Sequence, residues 1–186
     1  MIWGDKKLKN LVDTGMILDT YDGGINPASI NLRLGHTFLK PKAGQIVKLG
    51  EEMKYRRYER KDGQFIALKP GCFMLATTIE CIGVPIHAAA FVQGRSSIGR
   101  AGLTVQNAGF VDPGFTGHIT LELKNDSPCT IMLYPGYPVT QLVYMDAQDV
   151  TTGYNGKYTG QIEATGSRMF LDKASHGNLM AESGDV

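Results

Sequence analysis

Cysteine is scarce in this sequence. Three cysteines, Cys72, Cys81 and Cys129, occur among 186 residues, and no two form a C-x-x-C pair. An odd and widely spaced set argues against a disulfide framework and against a cysteine-rich zinc site. The four histidines are equally scattered. We therefore expect no zinc and no metal site built from protein side chains.

The sequence also lacks an excess of charge of one sign and any long apolar run. Its formal net charge is +1 at pH 7, which gives no broad positive field for non-specific nucleic-acid binding. No apolar run approaches the ~18 residues of a membrane span, and the first ten residues are too charged for the apolar part of a signal peptide. We expect a cytoplasmic protein that has neither nucleic acid nor a membrane as a partner.

The length favours one domain. A chain of 186 residues buries a hydrophobic core without disulfide or metal staples. Regular patterning ends after Asp149, where the sequence becomes polar and glycine-rich. We predict a single domain over residues 1–168 and a flexible tail over residues 169–186, of a kind that frays or orders over a ligand.

Glycine and proline, by contrast, are frequent, with 23 and 8 residues. Pro70-Gly71 and Pro135-Gly136 each separate two apolar segments, and Pro-Gly favours a type II turn because glycine accepts the positive φ. Repeated strand, turn and strand predicts an all-β fold, either a distorted β-barrel or a jelly roll.

Three further segments complete the local predictions. Residues 5–15 have apolar side chains at helical spacing, with Asp5 as the predicted N-cap and Gly15 as the stop. Residues 30–34 alternate strictly and predict a strand with one buried face. The mixed charge run over residues 51–63 predicts a solvated hairpin or loop.

A basic glycine-serine segment follows the apolar residues 88–92. Arg95, Ser96, Ser97 and Arg100 place two guanidinium groups and two hydroxyls within six residues. Such donors suit a phosphate chain, and a short helix starting at Ser96 or Ser97 would add its N-terminal N–H groups. The Walker A spacing is absent. The alternative is a basic turn that pairs with surface acids.

Two carboxylates follow in the chain. Asp112 precedes a Pro-Gly turn, where it either caps the turn or holds a hydroxyl or a water. Residues 117–125 alternate, so that Glu122 lies opposite the apolar face. Glu122 is either a general base in a cleft or an exposed residue paired with Lys124. Phe115 either stacks on a planar base or ribose or belongs to the core.

Together these segments resemble the dCTP deaminase branch of the trimeric dUTPase superfamily. The resemblance is strongest at GRSSIGRAG and AGFVDPGFTGHITLEL, and it is supported by INPASINLRLG, LKPGCFMLATTIECIGVP and YNGKYTGQ. It implies a dUTPase-like β-barrel or jelly roll with a short N-terminal helix, assembled as a homotrimer with active sites between subunits. Because the H-x-E and P-C-x-x-C motifs of zinc deaminases are absent, the implied deamination is zinc-independent.

The resemblance also implies residue roles. Glu122 is the implied general base of deamination, and Asp112 is the implied carboxylate near the ribose 3′-hydroxyl that positions a water for hydrolysis. Ser96 and Arg100 complete the implied catalytic set. The residues implied to bind substrate are Arg95, Ser97, Ala108, Gly109, Phe115, Gln141, Lys157, Tyr158 and Gln161. Mg²⁺ is implied to be held by the nucleotide triphosphate, without protein ligands.

The central turn, AGFVDPGF, is similar to that of bifunctional enzymes that convert dCTP to dUMP and pyrophosphate. Glu122 indicates deamination, and Asp112 indicates hydrolysis. The hairpin Leu103–Asn107 is one residue shorter than in plain deaminases, as in some dUTPases, and we expect it to decide base selection. We predict conversion of dCTP to dUMP, pyrophosphate and ammonia. The alternatives are a dUTPase, a deaminase that stops at dUTP, a non-catalytic nucleotide-binding regulator and a purely structural trimer.

Overall fold

Strands are the main regular secondary structure of the computed structural model, which describes residues 1–105 and 109–172. In chain order the elements are α1 (Asp5–Asp13), β1 (Ile17–Leu18), β2 (Ile25–Asn26), β3 (Ser29–Pro41), β4 (Tyr55–Glu59), β5 (Ile66–Leu68), β6 (Phe73–Gly83), β7 (Ala88–Gly94), α2 (Ser96–Arg100), β8 (Leu103–Val105), β9 (Phe110–Val111), β10 (Thr116–Asn125), β11 (Ile131–Leu133), β12 (Pro138–Asp146) and a 3₁₀ turn (Met169–Leu171). The predicted mainly-β fold with a short N-terminal helix is confirmed. The predicted domain boundary at residue 168 stays a prediction, and residues 173–186 lie outside the described ranges.

One curled sheet of ten strands contains most of these elements. Its main path is β8-β10-β6-β3-β12-β7-β9, while β1 pairs with β6, and β2 and β4 pair with β3. β5 and β11 form a separate two-stranded sheet. The pairings between described strands are antiparallel, and neighbours on the main path are not consecutive in sequence, which is the arrangement of a barrel or jelly roll and not of βαβ units.

The long strand β3 joins the two halves of the sheet. Its first half pairs with β12, with Ile30 opposite Leu142. Its second half pairs with β6 and β4, after a register shift between Leu34 and Phe38. The prediction of one buried face over residues 30–34 is wrong, because β3 is covered on both sides and Asn31 is as buried as its apolar neighbours.

The N-terminal helix buries Leu8 and Leu11 and ends before Gly15, which has a φ of +72° as expected of a stop. Its N-cap is Gly4 and not the predicted Asp5. The carbonyl of Gly4 already accepts the N–H of Leu8 at 3.1 Å, so the helical bonding pattern starts one residue earlier. Asp5 lies in the first turn, where an acidic side chain complements the helix dipole.

The predicted turns agree with the structure. Gly71, Gly114 and Gly136 each follow a proline and have φ values of +69°, +85° and +83°, the left-handed region that glycine adopts at low cost. The charge run contains β4, whose Arg56 and Arg57 are exposed, as expected of a solvated hairpin.

Asn125 connects the two-stranded sheet of β5 and β11 to the ten-stranded sheet through hydrogen bonds. Its side chain is fully buried, and its Nδ2 donates to Leu68 O at 2.8 Å and to Cys129 O at 2.7 Å. Its Oδ1 accepts the N–H and the hydroxyl of Ser127. The end of β10 is thereby bonded to β5 and to the loop that leads into β11.

Across residues 1–105 and 109–172, no helix is long and apolar enough to cross a membrane.

Candidate active site

β10 carries one of the predicted catalytic carboxylates on its half-buried face. Ile119, Leu121 and Leu123 are buried, while Thr120 and Glu122 are only partly covered. The alternation predicted for residues 117–125 is therefore confirmed. A strand with one face in the core presents its other side chains in a row, and Glu122 stands in that row next to Thr120.

A cavity of about 570 Å³ lies over this face. We call it the carboxylate cavity, because both Asp112 and Glu122 line it. Four predicted substrate-binding residues also line it, namely Gly109, Phe115, Tyr158 and Gln161. Its remaining wall is largely apolar, with Leu75 and Val92 among its members.

Asp112 begins the turn that leads into β10. Its carbonyl accepts the N–H of Phe115 at 3.2 Å, and Gly114 N donates to Val84 O at 2.8 Å. Phe115 is only 6% exposed and packs against Tyr154, with ring centroids 5.8 Å apart. Phe115 is thus a core residue and a wall of the cavity at once.

The segment after β12 returns to the same cavity. We call residues 153–168 the C-terminal strap. Tyr154 N donates to Pro113 O at 2.7 Å, and His118 N donates to Gln161 O at 2.9 Å. Gln161 Nε2 in turn donates to His118 O at 2.6 Å. The strap is therefore bonded along the edge of the strand that carries Glu122.

The arginine–serine segment lines a different cavity of about 540 Å³, which we call the arginine–serine cavity. A short helix, α2, does begin at Ser96, one of the two starts considered above. Arg95 is held by its Nη1, which donates to Pro138 O at 2.9 Å. The cavity is lined by Asn26, Ser29, Asn31, Arg95, Ser96, Ser97, Arg100 and Gln141.

The predicted site residues thus fall into two groups within one chain. The linings of the two cavities share no residue in the described part of the chain. Lys157 belongs to neither lining; its ammonium pairs with Asp172, which raises its pKa. Ala108 lies outside the described residues, as do residues 106–107 of the hairpin expected to decide base selection.

Several lining residues were not predicted. Asn26, Ser29 and Asn31 lie in the arginine–serine cavity, and the alternation of residues 30–34, which sets Asn31 apart from its apolar neighbours, was the available signal. Tyr55 and Tyr154 line the carboxylate cavity. No local pattern in the charge run distinguishes Tyr55, because its place in the cavity depends on the pairing of β4 with β3, where Tyr55 lies opposite Pro41.

A buried ion pair joins Arg33 of β3 to Glu80 of β6. Arg33 Nε donates to Glu80 Oε1 at 2.6 Å, its backbone N donates to Oε2 at 2.7 Å, and Glu80 is fully buried. Burial raises the pKa of Glu80, although the bonds from Arg33 oppose the shift. The Arg33 guanidinium also stacks over Tyr21 at 4.7 Å. Arg33 is paired with Pro138 in the sheet, so this ion pair supports the strand that holds Arg95.

No group of three or more histidine, cysteine, aspartate or glutamate side chains that could hold a metal ion occurs within residues 1–105 and 109–172.

Comparison with known proteins places these features in a family. The sequence profile described as dCTP deaminase-like matches residues 2–147. The chain is 40% identical to "dCTP deaminase, dUMP-forming" of Persephonella marina, over 93% of this chain and 99% of that protein. It is 42% identical to the protein of the same name from a Sulfurihydrogenibium species, with the same coverage of both chains.

A solved structure supports the fold. The crystal structure of 2′-deoxycytidine 5′-triphosphate deaminase from Agrobacterium tumefaciens is similar over 78% of this chain, with a TM-score of 0.65 and 20% identity. The match spans 48% of that longer chain. The likeness confirms the predicted barrel-type β-fold. From the profile match and the near full-length relatives, we conclude that the chain belongs to the dCTP deaminase-like family.

Proposed function

We propose that this protein converts dCTP to dUMP, pyrophosphate and ammonia, by zinc-independent deamination coupled to triphosphate hydrolysis. The observation that carries the proposal is that Glu122 and Asp112 line one cavity. Each of two carboxylates in one cavity can act on a water, so that one bound nucleotide can undergo two hydrolytic steps. The near full-length relatives named "dCTP deaminase, dUMP-forming" support the same assignment. A cytoplasmic location suits an enzyme of nucleotide metabolism.

The complete site is proposed to form between subunits of a homotrimer. The base and sugar occupy the carboxylate cavity of one chain, and the triphosphate reaches the arginine–serine cavity of its neighbour. The separation of the two linings within one chain supports this division. Arg95, Ser97 and Gln141 would then bind phosphate oxygens, since guanidinium groups and hydroxyls suit such oxygens.

Deamination is assigned to Glu122. Its carboxylate takes a proton from a water held by Ser96 of the neighbouring chain or by backbone groups, and the resulting hydroxide attacks C4 of cytosine. Glu122 delivers this proton to N3, then takes a second proton from the new C4 hydroxyl and delivers it to the departing ammonia. The C4–N4 bond breaks and a C4–O bond replaces it, which converts the cytosine to uracil.

Hydrolysis is assigned to Asp112. Its carboxylate orients a second water toward the α-phosphorus, and the bond between that phosphorus and the bridging oxygen of the pyrophosphate breaks. Arg100 of the neighbouring chain stabilises the charge that develops on the phosphates. Phe115, Tyr158, Gln161 and Lys157 are proposed to enclose the nucleotide, and Ala108 and Gly109 to meet the pyrimidine edge.

Mg²⁺ is proposed to accompany the triphosphate. Mg²⁺ commonly binds through substrate phosphates and retained waters, and the described lining of the arginine–serine cavity, where the triphosphate is placed, contains no carboxylate. The residues therefore fit an ion carried mainly by the nucleotide. When bound, it would neutralise charge on the phosphate oxygens.

The decisive experiment incubates the protein with dCTP or dUTP and Mg²⁺ and identifies the products by chromatography and an ammonia assay. The proposal predicts dUMP, pyrophosphate and ammonia from dCTP. Formation of dUTP from dCTP would instead indicate a plain deaminase, and dUMP from dUTP alone a dUTPase. Binding without turnover would indicate a regulator, and no binding a structural protein.

A pair of variants tests the assignment of Glu122. Glu122→Gln should lose ammonia release by at least about a hundredfold, because general-base catalysis contributes typically 10²- to 10⁴-fold. Glu52→Gln, the same change at an exposed position, serves as the control. Normal ammonia release by Glu122→Gln would show that another group is the base.

A further inference from the structure

The C-terminal strap is held by side-chain hydroxyls from three different strands of the sheet. Each hydroxyl accepts one backbone N–H, and the three donors lie within residues 164–167 of the strap. The bonds run from Ala164 N to Thr37 Oγ1 (2.9 Å), from Thr165 N to Thr120 Oγ1 (3.1 Å) and from Ser167 N to Tyr55 Oη (3.1 Å). A segment without helix or strand thereby satisfies its donors through side chains, as buried backbone requires.

The three hydroxyls lie on the same face of the sheet as the proposed catalytic base. Thr37 is opposite Glu59, and Pro41 is opposite Tyr55, so the side chains of Thr37 and Tyr55 project from the same side of β3 and β4. Thr120 precedes Glu122 by two residues in β10 and shares its face. The strap therefore crosses the face from which Glu122 projects.

An ion pair and a close contact add to these bonds. Arg57 Nη2 and Glu163 Oε1 are 2.8 Å apart, although both side chains are about half exposed, so the pair adds little. Gly166 lies flat against Tyr55, because a Cβ at this glycine would be 2.6 Å from Tyr55 Cε2. The position of the strap over β4 is thus fixed by contact as well as by hydrogen bonds.

Two of the three bonded residues of the strap are part of the cavity wall. Thr165, Gly166 and Ser167 line the carboxylate cavity together with Tyr55 and Glu122. A shift of the strap away from the sheet would open this wall to solvent. Tyr55 and Thr120 therefore bond directly to this wall, and Thr37 bonds to the residue that precedes it.

We propose that Thr37, Tyr55 and Thr120 are positioning residues, which hold the C-terminal strap over the carboxylate cavity so that it contacts the bound nucleotide. The inference rests on the proposed function, because it assigns the nucleotide to this cavity. It gives a role to β4, which the charge pattern alone indicates only as a solvated hairpin. The three residues act through the strap and do not take part in the chemical steps.

Kinetics of hydroxyl-deletion variants test the positioning role. Thr37→Val, Thr120→Val and Tyr55→Phe each remove the hydroxyl that accepts from the strap, with little change in shape. Thr120→Val also removes the bond that this hydroxyl donates to Gln161 Oε1 of the same strap, at 3.4 Å. Each should raise the KM for the nucleotide by roughly three- to tenfold, which is the fold-change of one hydrogen bond, and should change kcat less than KM. Thr37→Ser and Thr120→Ser keep the hydroxyl and should restore the KM.

Matched controls separate this effect from a general loss of stability. Tyr134→Phe makes the same change at a tyrosine that packs against Phe65, and Thr14→Val makes it at an exposed threonine that bonds to Asn10 O. Neither should alter the KM. If the strap variants behave like these controls, the positioning role is wrong.

Hydrogen exchange gives a readout that does not depend on turnover. The amides of residues 164, 165 and 167 should exchange about three- to tenfold faster in the corresponding variant, by the same estimate for one hydrogen bond. Unchanged exchange would overturn the inference, and so would faster exchange with an unchanged KM. If the wild-type protein turns over neither nucleotide, the proposed function fails. Hydrogen exchange of the strap amides, measured with and without bound dCTP, then tests the role of the strap independently of catalysis.

Discussion

Replacing Asn125 by alanine should destabilise the protein by about 3 kcal/mol. The buried carbonyl of Leu68 would lose its amide donor, at a cost of about 2 kcal/mol for an unsatisfied buried group, and the bond to Cys129 O would be lost at about 1 kcal/mol. The bonds to Ser127 add little, because water can replace Asn125 at that partly exposed residue. A loss of 3 kcal/mol is a large part of the stability of a typical domain.

Urea unfolding followed by circular dichroism measures this loss, at one fixed protomer concentration because assembly adds to apparent stability. The midpoint should fall while the slope stays constant, since the surface exposed on unfolding is unchanged. Thermal melting should shift by roughly 6–12 °C, at about 2–4 °C per kcal/mol for a chain of this size. Ser127→Ala, which removes only the partly exposed bonds, should cost less than about 1 kcal/mol. A loss below about 0.5 kcal/mol for Asn125→Ala would refute the reasoning.

Three further predictions concern a turn, the buried ion pair and the second carboxylate. Gly114→Ala should destabilise the protein more than Gly136→Ala in urea unfolding. Both glycines have positive φ, but only at Gly114 would a Cβ meet backbone of the C-terminal strap, at 2.8 Å; equal losses would contradict this. Because burial raises the pKa of Glu80 above 4.5, its carboxyl favours the folded state below that pH, and this contribution is lost as pH rises through the folded pKa. As pH rises through the folded pKa of Glu80, the free energy of unfolding of the wild-type protein should therefore fall relative to that of Glu80→Gln. A difference in free energy of unfolding that does not change with pH would contradict the raised pKa. Asp112→Asn should release ammonia from dCTP but at least about a hundredfold less pyrophosphate, and equal loss of both products would contradict separate roles.

Much of the fold follows from local sequence patterns. The alternation over residues 117–125 suffices to predict β10 and to set Glu122 apart from the core, because strand periodicity is a property of neighbouring residues. The Pro-Gly turns are equally local, since the positive φ at Gly71 and Gly136 depends on the turn itself. The helix α1 follows from its apolar spacing, although its start at Gly4 depends on backbone bonding.

The extent of β3 does not follow from its pattern. Residues 30–34 alternate as expected of a strand with one buried face, yet Asn31 is 6% exposed. Which faces of a strand are covered depends on β12, β6 and the chain around them, and these contacts are remote in sequence. Tertiary packing overrides local periodicity here.

The sequence indicates the residues of the candidate site more fully than their arrangement in space. The resemblance supplied Asp112, Glu122 and the arginine–serine segment, but residue types alone do not show that the carboxylates and the segment line separate cavities of one chain. Nor does the sequence link Tyr55 to Ser167, which are 112 positions apart. Such contacts arise only when the strap folds back on the sheet.

The continuity of β3 has a consequence for assembly. Asn31 lines the arginine–serine cavity and Thr37 bonds the strap over the carboxylate cavity, so one strand links both sites. Six residues of fully extended chain span about 20 Å, which is an upper limit here because β3 has a register shift between Leu34 and Phe38. A strand that is hydrogen-bonded to its neighbours changes little in length. β3 therefore sets the distance between the two cavities of one chain. In the proposed trimer, this fixed length dictates how far one chain must be displaced and turned for its arginine–serine cavity to meet the carboxylate cavity of the next.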